Sequence, residues 1–190
     1  MRWFYDYFFP ALWAAYLIYW QIAAAHVKTT QRLEAASSRI LRSLMFLAAV
    51  VLLCVPNIPL PVLYRHFLPE GLASFYTGAA ITVTGILFAV WARRHLGSNW
   101  SRSVTIKQDH ELITSGPYAL VRHPIYTGLL TAFFGTAIAT TQLRGLIAFA
   151  LIAISLLYKL RLEEQWMRAQ FGDTYAAYSR RVAALVPFLL

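Results

Sequence analysis

Two polar runs stand out in this otherwise apolar chain. The first, HELITSGPYALVRHPIYTG at 110–128, gathers His110, Tyr118, Arg122, His123 and Tyr126 around turn-forming glycine and prolines. Gly116-Pro117 is a turn signal, and Pro124 disfavours helix at His123 while suiting the first turn of the helix that follows. Free backbone N–H groups and the positive end of a helix dipole gather at such a start. That place suits an anionic group, for example the carboxylate of a cofactor or substrate. The second run, KLRLEEQWMRAQFGDTYAAYSRRV at 159–182, carries Lys159, Arg161, Glu163 and Glu164. A carboxylate there would attract a cationic ligand. Adjacent helical residues point about 100° apart, so one glutamate is expected to face the site and the other solvent. Lys159 lies four residues before Glu163 and shares its face. The plainer alternatives are a solvated salt bridge worth a few tenths of a kcal/mol and basic side chains facing lipid headgroups. The clustering of ionisable groups beside membrane segments favours function. The two runs read as halves of one site at the cytoplasmic end of a membrane bundle.

The elements that must position these groups are membrane spans. Mean hydropathy is +0.53 and only 13% of residues are charged, which argues for an integral membrane protein. Five spans are expected, at about 3–25, 40–55, 73–91, 124–141 and 143–160. The helix of the first is expected to begin near Pro10. Arg42 interrupts the second and is expected to snorkel to the interface. Gly78 and Gly85 are expected to permit close helix packing. Gln142, Arg144 and Gly145 mark a tight hairpin between the last two spans. Phe171-Gly172 should end the helix after span five with a glycine cap. A short amphipathic helix then follows at 173–182, with Tyr175, Tyr178 and Val182 on one stripe over the site or the membrane surface.

Charge assigns orientation. Lys28, Arg32, Arg39 and Arg42 lie between spans one and two; Arg93, Arg94, Arg102, Lys107 and Arg122 between three and four; Lys159, Arg161, Arg168, Arg180 and Arg181 after five. These are fourteen of the 17 basic residues. The other side holds only Arg2, Arg65 and Arg144. The positive-inside rule puts the amino terminus outside and the carboxyl terminus in the cytoplasm. The net charge of +9 is mostly this asymmetry, so it does not point to nucleic acid. The amino-terminal segment reads as a retained anchor. Cys54 is the single cysteine, and no Cys/His cluster has metal-ligand spacing. Nothing divides the chain, so 1–190 reads as one membrane domain, with 1–55 carrying no diagnostic motif and 91–187 forming the motif-bearing core.

Gly116-Pro117-Tyr118, then Arg122-His123-Pro124-Ile125-Tyr126 and Gly128, then Glu163-Glu164, then Phe171-Gly172 with Tyr175 and Tyr178, resemble the isoprenylcysteine carboxyl methyltransferase family. Leu96-Gly97 with Trp100-Ser101 is similar to its LG..WS element. The RHP.Y.G core alone also resembles phospholipid N-methyltransferases and, more distantly, membrane sterol reductases. The resemblance implies an all-α integral membrane enzyme with about five spans and a short cytoplasmic helical segment. It implies S-adenosylmethionine as cofactor, in a pocket open to the cytoplasm, and a lipidic or prenylated acceptor entering from the bilayer. Carried over by residue, it implies that His110, Leu112, Ile113, Tyr118, His123, Pro124, Ile125 and Tyr126 contact the cofactor and that Glu163 holds its positive end. Arg122, Lys159 and Arg161 are the candidates for catalysis. Lys159 stands where the family usually has an arginine implicated in the substrate carboxylate, with Arg161 two residues on. The acceptor is therefore open between a carboxylate and an amine, as in phospholipid or small hydrophobic amine N-methylation. A non-catalytic membrane protein is the rival of another class.

Overall fold

The structure, a computed structural model, describes residues 2–23, 30–33, 35–55, 57–97, 105–107 and 112–187. Five helices carry the fold: α1 (Arg2–Ala23), α2 (Ala36–Cys54), α3 (Leu72–Leu96), α4 (Pro124–Thr140) and α5 (Leu143–Arg181). Three of them, α2, α3 and α5, are long and apolar enough to cross a membrane by length and composition. α4, of 17 residues, is apolar and shorter. Leu17, Ile18, Leu44, Leu47, Leu87 and Ile154 are exposed along these helices. So much apolar surface on the outside belongs to an integral membrane protein, whose solvent is lipid.

α1 is helical from Arg2 straight through Pro10, where the sequence led us to expect a start. A proline inside a membrane helix loses one backbone bond, which neighbouring groups make good. A second difference is a small antiparallel ladder between β1 (Thr30–Leu33) and β2 (Thr105–Lys107). It joins the α1–α2 connection to the segment after α3, and is the one strand pair among the described residues of an otherwise helical fold. So short a pair leaves no period in the sequence to read.

α3 and α4 form the closest pair. Both are antiparallel hairpin partners whose glycines recur at a seven-residue spacing. A Cβ placed on Gly78 would meet Gly135 O at 2.5 Å, and one on Gly85 would meet Gly128 O at 2.5 Å. The reverse holds for Gly128 and Gly135. Backbone therefore touches backbone, as expected of Gly78 and Gly85. Two threonines fill the remaining space without leaving a polar atom idle. Thr82 Oγ1 donates to Gly78 O at 2.8 Å, and Thr136 Oγ1 donates to Ala132 O at 2.9 Å. Trp13 Nε1 of α1 donates to Thr136 Oγ1 at 3.2 Å, and Tyr16 packs on Ile86, Ala89 and Ala132. The buried Arg93 guanidinium donates to Ala23 O at the end of α1 and to Gly97 O at the end of α3. α2 lies on α5, where Ser38 Oγ and Tyr158 OH share a 2.9 Å hydrogen bond and Ala49 packs on Phe133, Ala148 and Ile152.

The hairpin between α4 and α5 is as tight as its sequence implied. Thr141 caps α4 in the left-handed region, at φ 56°. That is uncommon for a β-branched residue, and its surroundings enforce it. Phe67 N donates to Thr141 O at 2.9 Å, and Thr141 Oγ1 shares a 2.7 Å bond with His66 Nδ1. α5 then runs without interruption to Gly172, whose φ of 50° and ψ of −124° break it. Few residues other than glycine take that conformation. At 1.5 Å per residue the stretch before the break is about 43 Å long. The hydrocarbon core is about 30 Å thick, so the helix carries Glu163 and Glu164 past its apolar part.

Candidate active site

The polar run begins with a 3-10 turn at Gly116–Ala119. Gly116 sits at φ 60° with the His95 imidazole directly against it. Pro117, Val121 and Pro124 are fully buried, so the segment is clamped despite its irregular backbone. His123 is the N-cap of α4 and Pro124 opens the helix, as their order implied. Arg122, His123 and Tyr126 are thereby delivered to one place, facing α5.

Glu163 and Glu164 meet them there. Glu164 Oε1 accepts from Arg122 Nε at 2.9 Å, from Tyr175 OH at 2.7 Å and, when that nitrogen carries the proton, from His123 Nε2 at 2.9 Å. Arg168 adds a distant charge at 3.9 Å. Glu163 Oε2 accepts from Tyr126 OH at 2.7 Å and lies 3.6 Å from His123 Nδ1. Lys159 Nζ stands 3.7 Å from Glu163 Oε1 and 5.4 Å over the Tyr126 ring. The His123 ring stacks on Tyr126, with centroids 5.4 Å apart and planes 6° from parallel.

This corrects the expectation that one glutamate faces solvent. Both side chains are drawn inward, and Glu164, at 12% exposure, is the less accessible; Glu163 keeps 23%. Arg122 and His123 are adjacent in sequence, and the cluster they form is wide enough to span the angle between neighbouring helical residues. Glu164 is the site residue that the reading by helical face missed. The stripe of Tyr175 and Tyr178 does pack over the site: both are buried, and Tyr178 OH donates to Tyr118 O at 2.6 Å.

A second correction concerns the free N–H groups at the start of α4. Arg122 N donates to Ala183 O at 2.8 Å and His123 N to Ala184 O at 3.0 Å. Thr127 Oγ1 donates to Leu185 O at 2.7 Å. The segment after α5 folds back along 122–127 and takes the place reserved for an anion. The Arg122 guanidinium also donates to Ser179 O at 3.0 Å and to Val182 O, capping the end of α5. Arg122 is therefore engaged in holding Glu164 and the helix end.

Of the other expected site residues, Tyr118, Ile125 and Tyr126 share a buried apolar cluster with Ala92 and Leu160, and Ile113 packs against it. Leu112 is half-buried nearby in the chain. Arg161 is exposed and stands outside the cluster formed by the described residues. His110, Trp100 and Ser101 lie outside the described residues.

The electrostatics follow from this geometry. Glu163 and Glu164 lie beyond the apolar part of α5. Burial works against ionising Glu163, yet the Lys159 charge and the bonds from His123 and Tyr126 outweigh it and hold its carboxyl down at about 2. Burial likewise opposes ionisation of Glu164, and His123, Arg122 and Tyr175 hold it down at about 2. Burial tends to discharge His123, but the two carboxylates prevail and raise its pKa. The site is a pair of firmly ionised carboxylates bridged by an imidazole with raised proton affinity. The chemistry of such a pair suits a positively charged ligand.

Comparison with known proteins places the chain among methyltransferases. The family model described as phospholipid methyltransferase matches residues 73–174. Protein-S-isoprenylcysteine O-methyltransferase B of Arabidopsis thaliana is 30% identical over 122 residues, 63% of this chain and 58% of that protein. Protein-S-isoprenylcysteine O-methyltransferase of Schizosaccharomyces pombe is 35% identical over 100 residues, 49% of this chain and 41% of that protein. Methanethiol S-methyltransferase 2 of Bradyrhizobium diazoefficiens is 44% identical over 73 residues, 38% of this chain and 27% of that protein. The chain thus spans less than two thirds of the length of each of these relatives. The solved structure of the eukaryotic intramembrane Ras methyltransferase, an isoprenylcysteine carboxyl methyltransferase, superposes with a TM-score of 0.53 at 24% identity, over 80% of this chain and 52% of that one. That likeness establishes the fold.

Proposed function

The chain belongs to the phospholipid methyltransferase family, and from that premise we propose that it transfers a methyl group from S-adenosylmethionine to the carboxylate of a lipidic, isoprenylcysteine-like acceptor. The observation that carries this reading is the union of the 122–126 run with Glu163 and Glu164 beside an apolar cluster. The donor set fits the cofactor. S-adenosylmethionine bears positive charge on its sulfonium and amino groups, and Glu163 is ionised and still partly accessible. Its 3.7 Å contact to Lys159 is loose enough to admit a second cation. When bound, the cofactor supplies an electrophilic methyl group.

The chain's own residues then have distinct tasks. Glu163 would hold the positive end. His110, Leu112, Ile113, Tyr118, His123, Pro124, Ile125 and Tyr126 would line the cofactor. Arg122 positions Glu164 and the end of α5. Lys159 would orient the acceptor carboxylate. In-line methyl transfer requires alignment and exclusion of water more than a strong base. A carboxylate is already ionised near neutral pH, so no residue need remove a proton. The names of the plant and yeast relatives support the carboxylate as acceptor. We place all five helices across the membrane, with the amino terminus outside and 91–187 as the catalytic core, on the strength of the basic asymmetry and the position of the motifs. The acceptor would reach the site from the bilayer. N-methylation of a phospholipid amine is the second reading, favoured by the description of the family model and by two carboxylates that would hold a cationic headgroup.

The test is methyl transfer by the purified protein in lipid nanodiscs. Radiolabelled S-adenosylmethionine is offered with N-acetyl-S-farnesylcysteine or with phosphatidylethanolamine. A base-labile methyl ester on the first is expected. Label in the lipid amine alone would replace this reading by the second. S-adenosylhomocysteine at a hundred times its Kd should stabilise the protein by about 2.7 kcal/mol, and no thermal shift at saturating ligand would remove both. Lys159→Met should lose acceptor turnover with cofactor affinity kept, and Lys159→Arg should retain turnover.

A further inference from the structure

We propose that His123 is the exchangeable counter-ion of the carboxylate pair: its imidazole carries a second proton in the free protein and gives it to water when the positive end of the cofactor settles on Glu163. The proposal rests on the cofactor half of the reading above and is independent of the acceptor. It makes proton release a part of cofactor binding.

The imidazole stands between the two carboxylates. Its Nε2 lies 2.9 Å from Glu164 Oε1, and its Nδ1 lies 3.6 Å from Glu163 Oε2. An imidazole with a carboxylate at each nitrogen serves both only with a proton on each, which is the charged form. The ring is also held from other sides. It stacks on Tyr126, and its main-chain N–H is tied to Ala184 O. From α5 the charged and titratable groups around it are Glu163, Glu164, Lys159 and Arg168, with Tyr175 beyond the break at Gly172. Its own segment supplies Arg122 and Tyr126. α2 and α3 supply Arg42 and Arg93, whose charges act at Tyr126 and Tyr118.

The charge balance of the cluster selects the group that yields its proton. Arg122 beside Glu164 and Lys159 beside Glu163 already offset the two carboxylates. Arg168 is at the exposed edge, 3.9 Å from Glu164, where solvent screens it. A proton on His123 is therefore surplus positive charge, kept there by both carboxylates against the effect of burial. A cation arriving at Glu163 brings a second surplus, and like charges disfavour each other. Arginine keeps its proton, lysine sheds its own only near about pH 10, and imidazole sheds one near neutrality. Nδ1 faces the carboxylate that the cation takes. Its proton leaves past Glu163, the more accessible of the pair. Nε2 keeps its proton and goes on donating to Glu164. The charged ring thus becomes a neutral ring and one proton in water, and Nδ1 is left as an acceptor beside Glu163.

The experiment is calorimetry of S-adenosylhomocysteine, whose amino group is cationic, binding to the protein in nanodiscs at about pH 7, in buffers of different ionisation enthalpy. The dependence of the heat on buffer gives the protons released per ligand. The wild type should release roughly half a proton or more. Its Kd should fall as pH rises, by up to about tenfold per pH unit, and level off where His123 is already neutral in the free protein. His123→Asn should bind with no release and with a flat affinity profile. Glu164→Gln, which removes one of the two carboxylates, should shrink the release and move it to lower pH. Nitrogen-15 NMR of the histidine rings reads the same event directly, as two ring protons on His123 in the free protein and one, on Nε2, in the complex. A singly protonated His123 in the free protein overturns the assignment even where His123→Asn fails to fold. So does undiminished release in His123→Asn, which would trace the proton to another group or to the ligand's own amine. A wild type that binds without releasing a proton overturns the assignment and leaves the cofactor reading standing, whereas a wild type that binds no ligand overturns both.

Discussion

The α3–α4 interface and the Glu163–Glu164 cluster hold the molecule together by opposite means. Between α3 and α4 the contact is between backbones, with glycines where side chains would stand and two threonines that bond inward. At the cluster almost every contact is between charged or polar side chains, each with a named partner. The first arrangement tolerates no added volume and is indifferent to pH. The second tolerates volume at its partly exposed rim and depends on charge. The interface sets where α4 begins; the cluster uses that position for chemistry.

The largest expected effect is on the interface. Gly85→Leu places a side chain where a Cβ alone would lie 2.5 Å from Gly128 O and Ala132 N. Neither backbone can yield without separating the helices. We expect a loss of roughly 3 kcal/mol or more, seen as an early thermal transition, with S-adenosylhomocysteine binding lost as well. Normal stability in this variant would break the comparison.

Next comes the pair of glutamates. Glu164→Gln leaves Arg122 and His123 buried beside a neutral amide, and should cost about 2 kcal/mol of stability. Glu163→Gln should cost less stability and weaken S-adenosylhomocysteine binding at least tenfold by calorimetry. If both variants lose cofactor affinity equally, the pair works as a unit.

The pH dependence should be confined to the cluster. Glu163 and Glu164 have pKa values held below their ordinary 4.5, at about 2, so their contribution is complete above about 4.5 and fades as pH falls toward 2. His123 has its value raised above 6.5, so its contribution is complete below about 6.5 and fades as pH rises through the folded value. Thermal midpoints of the wild type should fall on both sides. His123→Asn should flatten the alkaline side and, because His123 helps hold both carboxyls down, also soften the acid side; an unaltered alkaline slope would mean another group controls it. The smallest effect is expected at exposed Arg161, where Arg161→Gln should stay within about 0.5 kcal/mol and leave turnover unchanged. A large loss of turnover there would bring Arg161 into the acceptor site.

The sequence made the two regions unequally legible. The turn at Gly116-Pro117, the helix start at Pro124, the hairpin near Gln142 and the break at Gly172 all rest on local backbone chemistry, which residue type reports directly. The tyrosine stripe was readable from its period. The inward turn of Glu164 was not, because it depends on which partners arrive from 42 residues away. Nor was the capping of Arg122 and His123 by Ala183 and Ala184. Those bonds use main-chain carbonyls of small apolar residues, which carry no signature of the role.

The fold-back of the segment after α5 also has a consequence in time. Arg122 and Val182, which meet in the structure, are separated by 60 residues. At about 5–20 residues per second, a ribosome takes roughly 3–12 s to make that interval. Throughout it, α4 can already have met α3, whereas the amides of Arg122 and His123 await carbonyls that do not yet exist. The scaffold is thus translated to completion before its active end. A stalled or prematurely ended chain would be a packed membrane hairpin without Glu164, Tyr175 or the capping segment, inert toward any lipid around it.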